Sequence, residues 1–177
     1  MANANSNLIA NLVANPPVHN HVGVSGGRVR VMADTFTSSG WATTNDTVTL
    51  CRLPSNARIW SIRMATGDLG SGSSASFDLG LYTDGPAATV ENNADKLIFA
   101  DGVDCQNAIA ASDTTGMIEY AWQVDDDGSN VGKRLWELAN NGGNTEDGHI
   151  TYDLCMTAMH GDCQDGVISF VVLYTID

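Results

Sequence analysis

From Arg28 onward the chain repeats apolar and polar residues with a period of two, and that spacing limits the folds open to it. Val48 and Leu50 alternate with Thr47, Thr49 and Cys51. Trp60, Ile62 and Met64 fall on one face of a run whose other face carries Ser61 and Arg63. Phe77, Leu79 and Leu81 oppose Asp78, Gly80 and Tyr82, and Ile150, Tyr152, Leu154 and Met156 oppose Thr151, Asp153, Cys155 and Thr157. Successive side chains of a strand point to opposite faces, so this pattern predicts antiparallel strands with one buried face. A weaker alternation over Val29–Ala33 adds another strand. The last segment, Val167 to Ile176, is apolar on both faces, which places it either centrally in a sandwich or in a contact between subunits.

Turn chemistry punctuates the strands at matching intervals. Asp-Gly occurs at Asp84, Asp101, Asp127, Asp147 and Asp165, and Asn141-Gly142 adds a sixth pair. Asp and Asn tolerate left-handed backbone and Gly adopts it freely, so such pairs favour hairpins. One segment departs from period two. Val131–Ala139 has helical spacing, with Leu135, Leu138 and Ala139 on one side, Ser129 or Asn130 as candidate caps, and Gly142-Gly143 beyond its end. The expected architecture is all-β: an antiparallel, jelly-roll-like β-sandwich over residues 27–177 with one short helix near 131–140.

Residues 1–26 read differently. They hold six Asn, the Pro16-Pro17 pair and, over residues 1–25, no charged side chain. The segment has no core of its own and is expected to be an extended N-terminal arm. Leu8, Ile9, Leu12 and Val13 suit an arm that lies on another protein surface and orders there, the alternative being a free tail.

Charge separates the rest. The chain carries 8 Lys+Arg against 21 Asp+Glu, a net of -13, with only 16% charged residues. Five of the basic residues, Arg28, Arg30, Arg52, Arg58 and Arg63, lie within residues 1–64 beside only Asp34 and Asp46. That is a mildly basic segment in front of a strongly acidic body, and it nominates those arginines as a docking strip for an acidic partner. Duplex nucleic acid is not an expected partner, because phosphate binding needs many clustered cations. Phe170–Tyr174 is the longest strong apolar run, well short of the ~20 residues a membrane helix requires. The N-terminus lacks the basic start of a secretion signal, so synthesis in a cytoplasm is expected.

No catalytic constellation stands out. There is no GxSxG, and Gly67–Gly72 lacks the Lys and helix of a phosphate loop. His19-x-His21 offers two imidazoles without a third ligand, and His160 with Cys155, Asp162 and Cys163 fits no standard zinc spacing. Asp125-Asp126-Asp127-Gly128-Ser129-Asn130 departs from a calcium loop at the positions of Asn130 and Trp136, and equally suits the positive start of a helix. The four cysteines, Cys51, Cys105, Cys155 and Cys163, are expected to be buried free thiols, a Cys155–Cys163 hairpin bridge being the alternative. The expectation is a non-enzymatic protein without cofactor or metal.

Four motifs, in order, carry a family resemblance. Leu50-Cys51-Arg52-Leu53-Pro54-Ser55-Asn56-Ala57-Arg58-Ile59 resembles the "lxrlPanarI" signature of small virion proteins of tailed bacteriophages. Phe77-Asp78-Leu79-Gly80-Leu81-Tyr82 resembles their "vDvGLY" strand. Lys133-Arg134-Leu135-Trp136-Glu137-Leu138 and Tyr152-Asp153-Leu154 resemble their later helix and "YDl" strand. The resemblance implies a capsid decoration or cement protein, a β-sandwich or jelly roll that sits on the virion surface as a homo-oligomer, often a trimer, bound to the major capsid protein. Within that picture the arm (Leu8, Ile9, Leu12, Val13, Pro16, Pro17) would anchor, the basic segment would face the shell, and Val171 and Leu173 on the last strand would seal the oligomer. A different virion part, a tail, fibre or receptor-binding module, is the alternative, with Trp41 beside Ser38-Ser39-Gly40 as its one candidate carbohydrate platform.

Overall fold

The computed structural model describes residues 16–18, 27–72, 74–83, 93–108, 118–120, 132–139 and 145–176. Eight strands are present there: β1 (Arg30–Thr37), β2 (Thr47–Pro54), β3 (Ala57–Thr66), β4 (Ser76–Tyr82), β5 (Asn93–Asp104), β6 (Ile118–Tyr120), β7 (Thr151–Ala158) and β8 (Val167–Ile176). They form two antiparallel four-stranded sheets, ordered β1-β8-β3-β6 and β2-β7-β4-β5. Consecutive strands alternate between sheets up to β4, the chain crosses back after β5, and β7 and β8 insert between earlier strands. This is the strand order of an eight-stranded jelly roll.

The core lies between the sheets. Ile59, Ile62 and Met64 of β3 and Ile168, Phe170 and Val172 of β8 meet Phe77, Leu79 and Leu81 of β4 and Leu154 and Met156 of β7, all buried. Phe36 of β1 packs edge-on against Phe170 with ring centroids 6.5 Å apart. The pleat sends most of the expected apolar sets inward, but Val31 and Ala33 of the Val29–Ala33 alternation point outward while Met32 packs against the core, and Ile150 is exposed ahead of β7. A β-bulge between Ile59 and Ser61 inserts Trp60 as an extra residue, so Ile59 takes the inward place. Trp60 is half-buried, and its indole N–H donates to Thr175 Oγ1 at 3.0 Å.

The central strands of the second sheet depart from the expectation of one buried face. Asp78, Gly80 and Tyr82 of β4 and Asp153, Cys155 and Thr157 of β7 are buried although they point away from the sandwich core.

The helix is a single turn, α1 (Leu135–Leu138), beginning four residues later than its spacing predicted. Ser129 and Asn130 lie outside the described residues. The start is held instead by Glu137, whose Oε2 accepts the Arg134 backbone N–H at 2.6 Å. Leu135 and Leu138 anchor the turn in the core, and Trp136 N–H donates to Ser55 O at 3.1 Å.

Asp84-Gly85, Asp127-Gly128 and Asn141-Gly142 lie outside the described residues, and two of the remaining Asp-Gly pairs serve different ends. Asp101-Gly102 is no hairpin turn: it sits inside β5, where Gly102 at φ +60° breaks the register opposite β4. Asp165-Gly166 does serve the β7–β8 connection, and its carboxylate accepts the backbone N–H groups of Gly40 and Trp41, each at 2.9 Å. Those two bonds tie the β1–β2 loop to the adjoining β7–β8 connection and hold the Asp165 carboxyl below the usual carboxylate range.

Candidate interaction surfaces

The two sheets present opposite chemistry on their outer faces. On the β2-β7-β4-β5 sheet, polar side chains form a dry seam. Asp153 is 1% exposed and accepts two hydrogen bonds from Arg52 of the neighbouring strand, Nε to Oδ1 at 2.7 Å and Nη2 to Oδ2 at 3.1 Å. Beside it Tyr82 Oη and Thr157 Oγ1 share a hydrogen bond of 2.7 Å, and Asp78 Oδ1 accepts Gly102 N–H at 2.9 Å. Burial pushes the Tyr82 phenol up, and it pushes the Cys51 and Cys155 thiols up to about 12. Thiols held protonated in this way are poor nucleophiles, since the reactive species is the thiolate. The seam therefore braces the sheet.

It also accounts for the sequence motifs. Arg52, Asp78, Tyr82 and Asp153, drawn from three separate motifs, all belong to it, and the register places Gly80 opposite Cys155 and Tyr82 opposite Asp153. Arg58, from the first motif, is buried and donates to Gly132 O, with Glu137 of the helical motif 3.9 Å away. Nothing in the spacing of these motifs announces that they meet. The only signal was a carboxylate at a mid-strand position in each of two strongly apolar runs.

The outer face of the β1-β8-β3-β6 sheet is different. Alternation and register turn Val31, Ala33, Thr35 and Thr37 of β1, Val167, Ser169, Val171, Leu173 and Thr175 of β8, and Ser61, Arg63 and Ala65 of β3 outward together. In a chain whose net charge is -13, the outward positions of these three strands carry two charges, Arg58, which is buried opposite Thr175, and Arg63. In register Arg63 lies opposite Glu119 of β6. Val31 is 60% exposed, Val29 just before the strand 55%, and Val167 48%. Val171 and Leu173 lie half-buried between them. These exposed and half-buried Val and Leu side chains form the apolar part of a face that Ser and Thr side chains share.

The arginines nominated by charge do not form one strip. Arg28 and Arg30 are exposed at the start of β1, Arg52 braces Asp153, Arg58 is buried under the helix turn, and Arg63 belongs to the apolar face. Pro16 and Pro17 are exposed, and Leu8, Ile9, Leu12 and Val13 lie outside the described residues, as do His19, His21 and Asp125–Asn130. Trp41 is no surface platform: it is 1% exposed, packs 6.3 Å from Phe77, and donates its indole N–H to Asp46 O at 3.2 Å. Among the described residues no group of His, Cys, Asp or Glu is arranged to hold a metal ion, and no helix is long and apolar enough to cross a membrane.

No protein-family model matches the chain, and no curated protein does. Solved structures do. A chain in the capsid asymmetric unit of cyanophage Pam1 is similar over 100% of both chains, at 17% identity and a TM-score of 0.52. A chain in the capsid of Ralstonia phage GP4 is similar over 85% of this chain and 86% of its own, at 14% identity and a TM-score of 0.55. At such identities the shared property is the fold.

Proposed function

We propose that the protein is a virion structural protein that decorates and cements the capsid of a tailed phage, bound to the major capsid protein lattice as a homo-oligomer, with a trimer favoured. The observation that carries this reading is the apolar part of the outer face of β1, β8 and β3 on a jelly roll shared with chains of two phage capsids. In an isolated molecule such a face is a liability, because it invites unspecific association. Covered by a neighbouring copy it becomes an interface centred on Val171 and Leu173. Arg28 and Arg30, exposed at the edge of that face, remain available to an acidic shell. The arm, with Leu8, Ile9, Leu12, Val13, Pro16 and Pro17, then supplies a second contact, and many weak contacts per particle add up through avidity. The protein would be made in the host cytoplasm and reside on the capsid surface.

Stoichiometry on purified particles tests the role. A copy number that scales with the major capsid protein is expected, whereas a few copies per particle means a tail or fibre component and defeats the proposal. For the arm, removing residues 1–25 is expected to abolish binding to undecorated capsids while leaving thermal unfolding nearly unchanged. A truncated protein that still saturates capsids overturns the anchor role.

A further inference from the structure

Cys105 and Cys163 are 58 positions apart in the chain, yet their thiols lie within hydrogen-bonding reach of each other. Both are buried, at the end of the sandwich where β5 finishes and the β7–β8 connection begins. Two segments hold them there. Cys105 O accepts Leu69 N–H at 3.2 Å, while Cys163 pairs with Gly70 in an isolated antiparallel bridge. Cys105 N–H donates to Ala75 O at 3.1 Å, while the Cys163 thiol donates to Ser76 O at 3.6 Å. Each cysteine is thus fixed against the same two stretches, residues 69–70 and 75–76. Cys155, the partner in the alternative hairpin bridge, lies instead on the outer face of β7 beside Thr49, whose Oγ1 is 3.4 Å from its sulfur.

We propose that Cys105 and Cys163 are an intramolecular disulfide site, reduced when the chain folds and closed afterwards by a small peroxide. One cysteine, as the thiolate, attacks a peroxide oxygen; the O–O bond breaks, hydroxide leaves, and a sulfenic acid forms. The sulfur of the second cysteine then displaces the sulfenic oxygen, which departs as water with the second thiol's proton, and the S–S bond forms. The balance is two thiols and one hydrogen peroxide to one disulfide and two waters, the sulfurs losing the two electrons that the peroxide oxygens gain. Burial pushes the Cys105 thiol up to about 12, so the reaction is slow near neutrality and quickens as the medium becomes alkaline. The bond staples the edge strand β5 to the loop that feeds β8, which a particle leaving a reducing cell for an oxidising medium would gain without refolding.

The test uses the full chain purified under reducing conditions and then incubated with hydrogen peroxide. Peptide mapping without reductant is expected to yield a Cys105–Cys163 linked peptide, two hydrogens lighter than its parts and released by dithiothreitol. Closing a loop of this length is expected to raise Tm on the order of 10 °C. Cys163→Ser and Cys105→Ser are each expected to show neither effect, and Cys51→Ser to show both. Sulfinic acid at either cysteine without the linked peptide overturns the proposal. So does a link between other cysteines, or no oxidation even at alkaline pH. The linked peptide in the wild-type chain decides the matter even if a serine variant does not fold.

Discussion

The Arg52–Asp153 pair permits a quantitative test of the polar seam. Asp153 is 1% exposed while the Arg52 side chain is 47% exposed, so the two partners differ in what they lose when separated. Arg52→Met keeps most of the aliphatic stem and removes both donors, leaving a buried carboxylate without its cation. Breaking a fully buried pair costs about 3–5 kcal/mol. Water already reaches half of Arg52 and can relieve part of the loss, which brings the expected cost to about 2 kcal/mol. Asp153→Asn leaves the arginine able to turn to solvent and costs about 1 kcal/mol. The double variant removes charge from both sides and is expected to be no less stable than Arg52→Met alone. Urea denaturation reads the effect: with m near ~2 kcal/mol/M, Arg52→Met lowers the midpoint by about 1 M. The reasoning fails if the single variants are additive in the double one, or if Arg52→Met costs less than about 0.5 kcal/mol, as an exposed surface pair would.

Three further outcomes follow from named contacts. Phe77→Ala removes a fully buried ring from between the sheets and from beside Trp41, and is expected to lower stability by about 3–5 kcal/mol in the same denaturation assay. Gly166→Ala brings a methyl group to 2.6 Å from Leu69 Cδ2 and 3.0 Å from Asp68 O; the backbone oxygen cannot give way cheaply, and a loss of about 1–3 kcal/mol is expected by thermal melting. Asp165, held down by the Trp41 and Gly40 amides, and Asp147, held down first by the Ser55 hydroxyl, have native pKa values below the ordinary carboxylate value. Groups of this sign stabilise the fold above that value and lose their contribution as pH falls through the native one, so stability declines below about pH 4. Asp165→Asn is expected to flatten that decline, and an unchanged pH profile of Tm would refute the assignment.

Alternation exposed the strands because each pleated pair has one face in the core, and β2, β4, β7 and β8 lie where their apolar runs place them. It misplaced Trp60 because a bulge adds a residue without leaving a mark on hydrophobicity. It placed a turn at Asp101-Gly102 because left-handed glycine serves bulges and hairpins alike. The helix was legible as a type of structure and overlong in extent, since only Leu135 and Leu138 of its apolar set are needed to seat one turn. Net charge by segment nominated five arginines as one strip. Charge counts ignore partners, and Arg52 and Arg58 have theirs inside the fold. Cys105 with Cys163 was beyond reach of any spacing rule, because the jelly roll brings them together only after β5 and β7 have taken places on either side of β4.

The contrast between the two outer faces argues for the direction in which the molecule is used. Buried polar groups cost stability unless paired, and on this sheet face Arg52 pairs with Asp153 and Tyr82 with Thr157, while Asp78 accepts the Gly102 backbone N–H, all within one chain. The β1-β8-β3 face carries the Thr35–Ser169 and Trp60–Thr175 hydrogen bonds, with the exposed or half-buried Val31, Val167, Val171 and Leu173 among them. Apart from Leu173 and the arginines, its outward side chains are small or β-branched, and β-branched residues suit a pleated surface that packs against another. Solubility alone would have been served by placing some of the chain's 21 carboxylates there. Their absence from the outward positions of these three strands is the pattern that the proposed contact between copies requires.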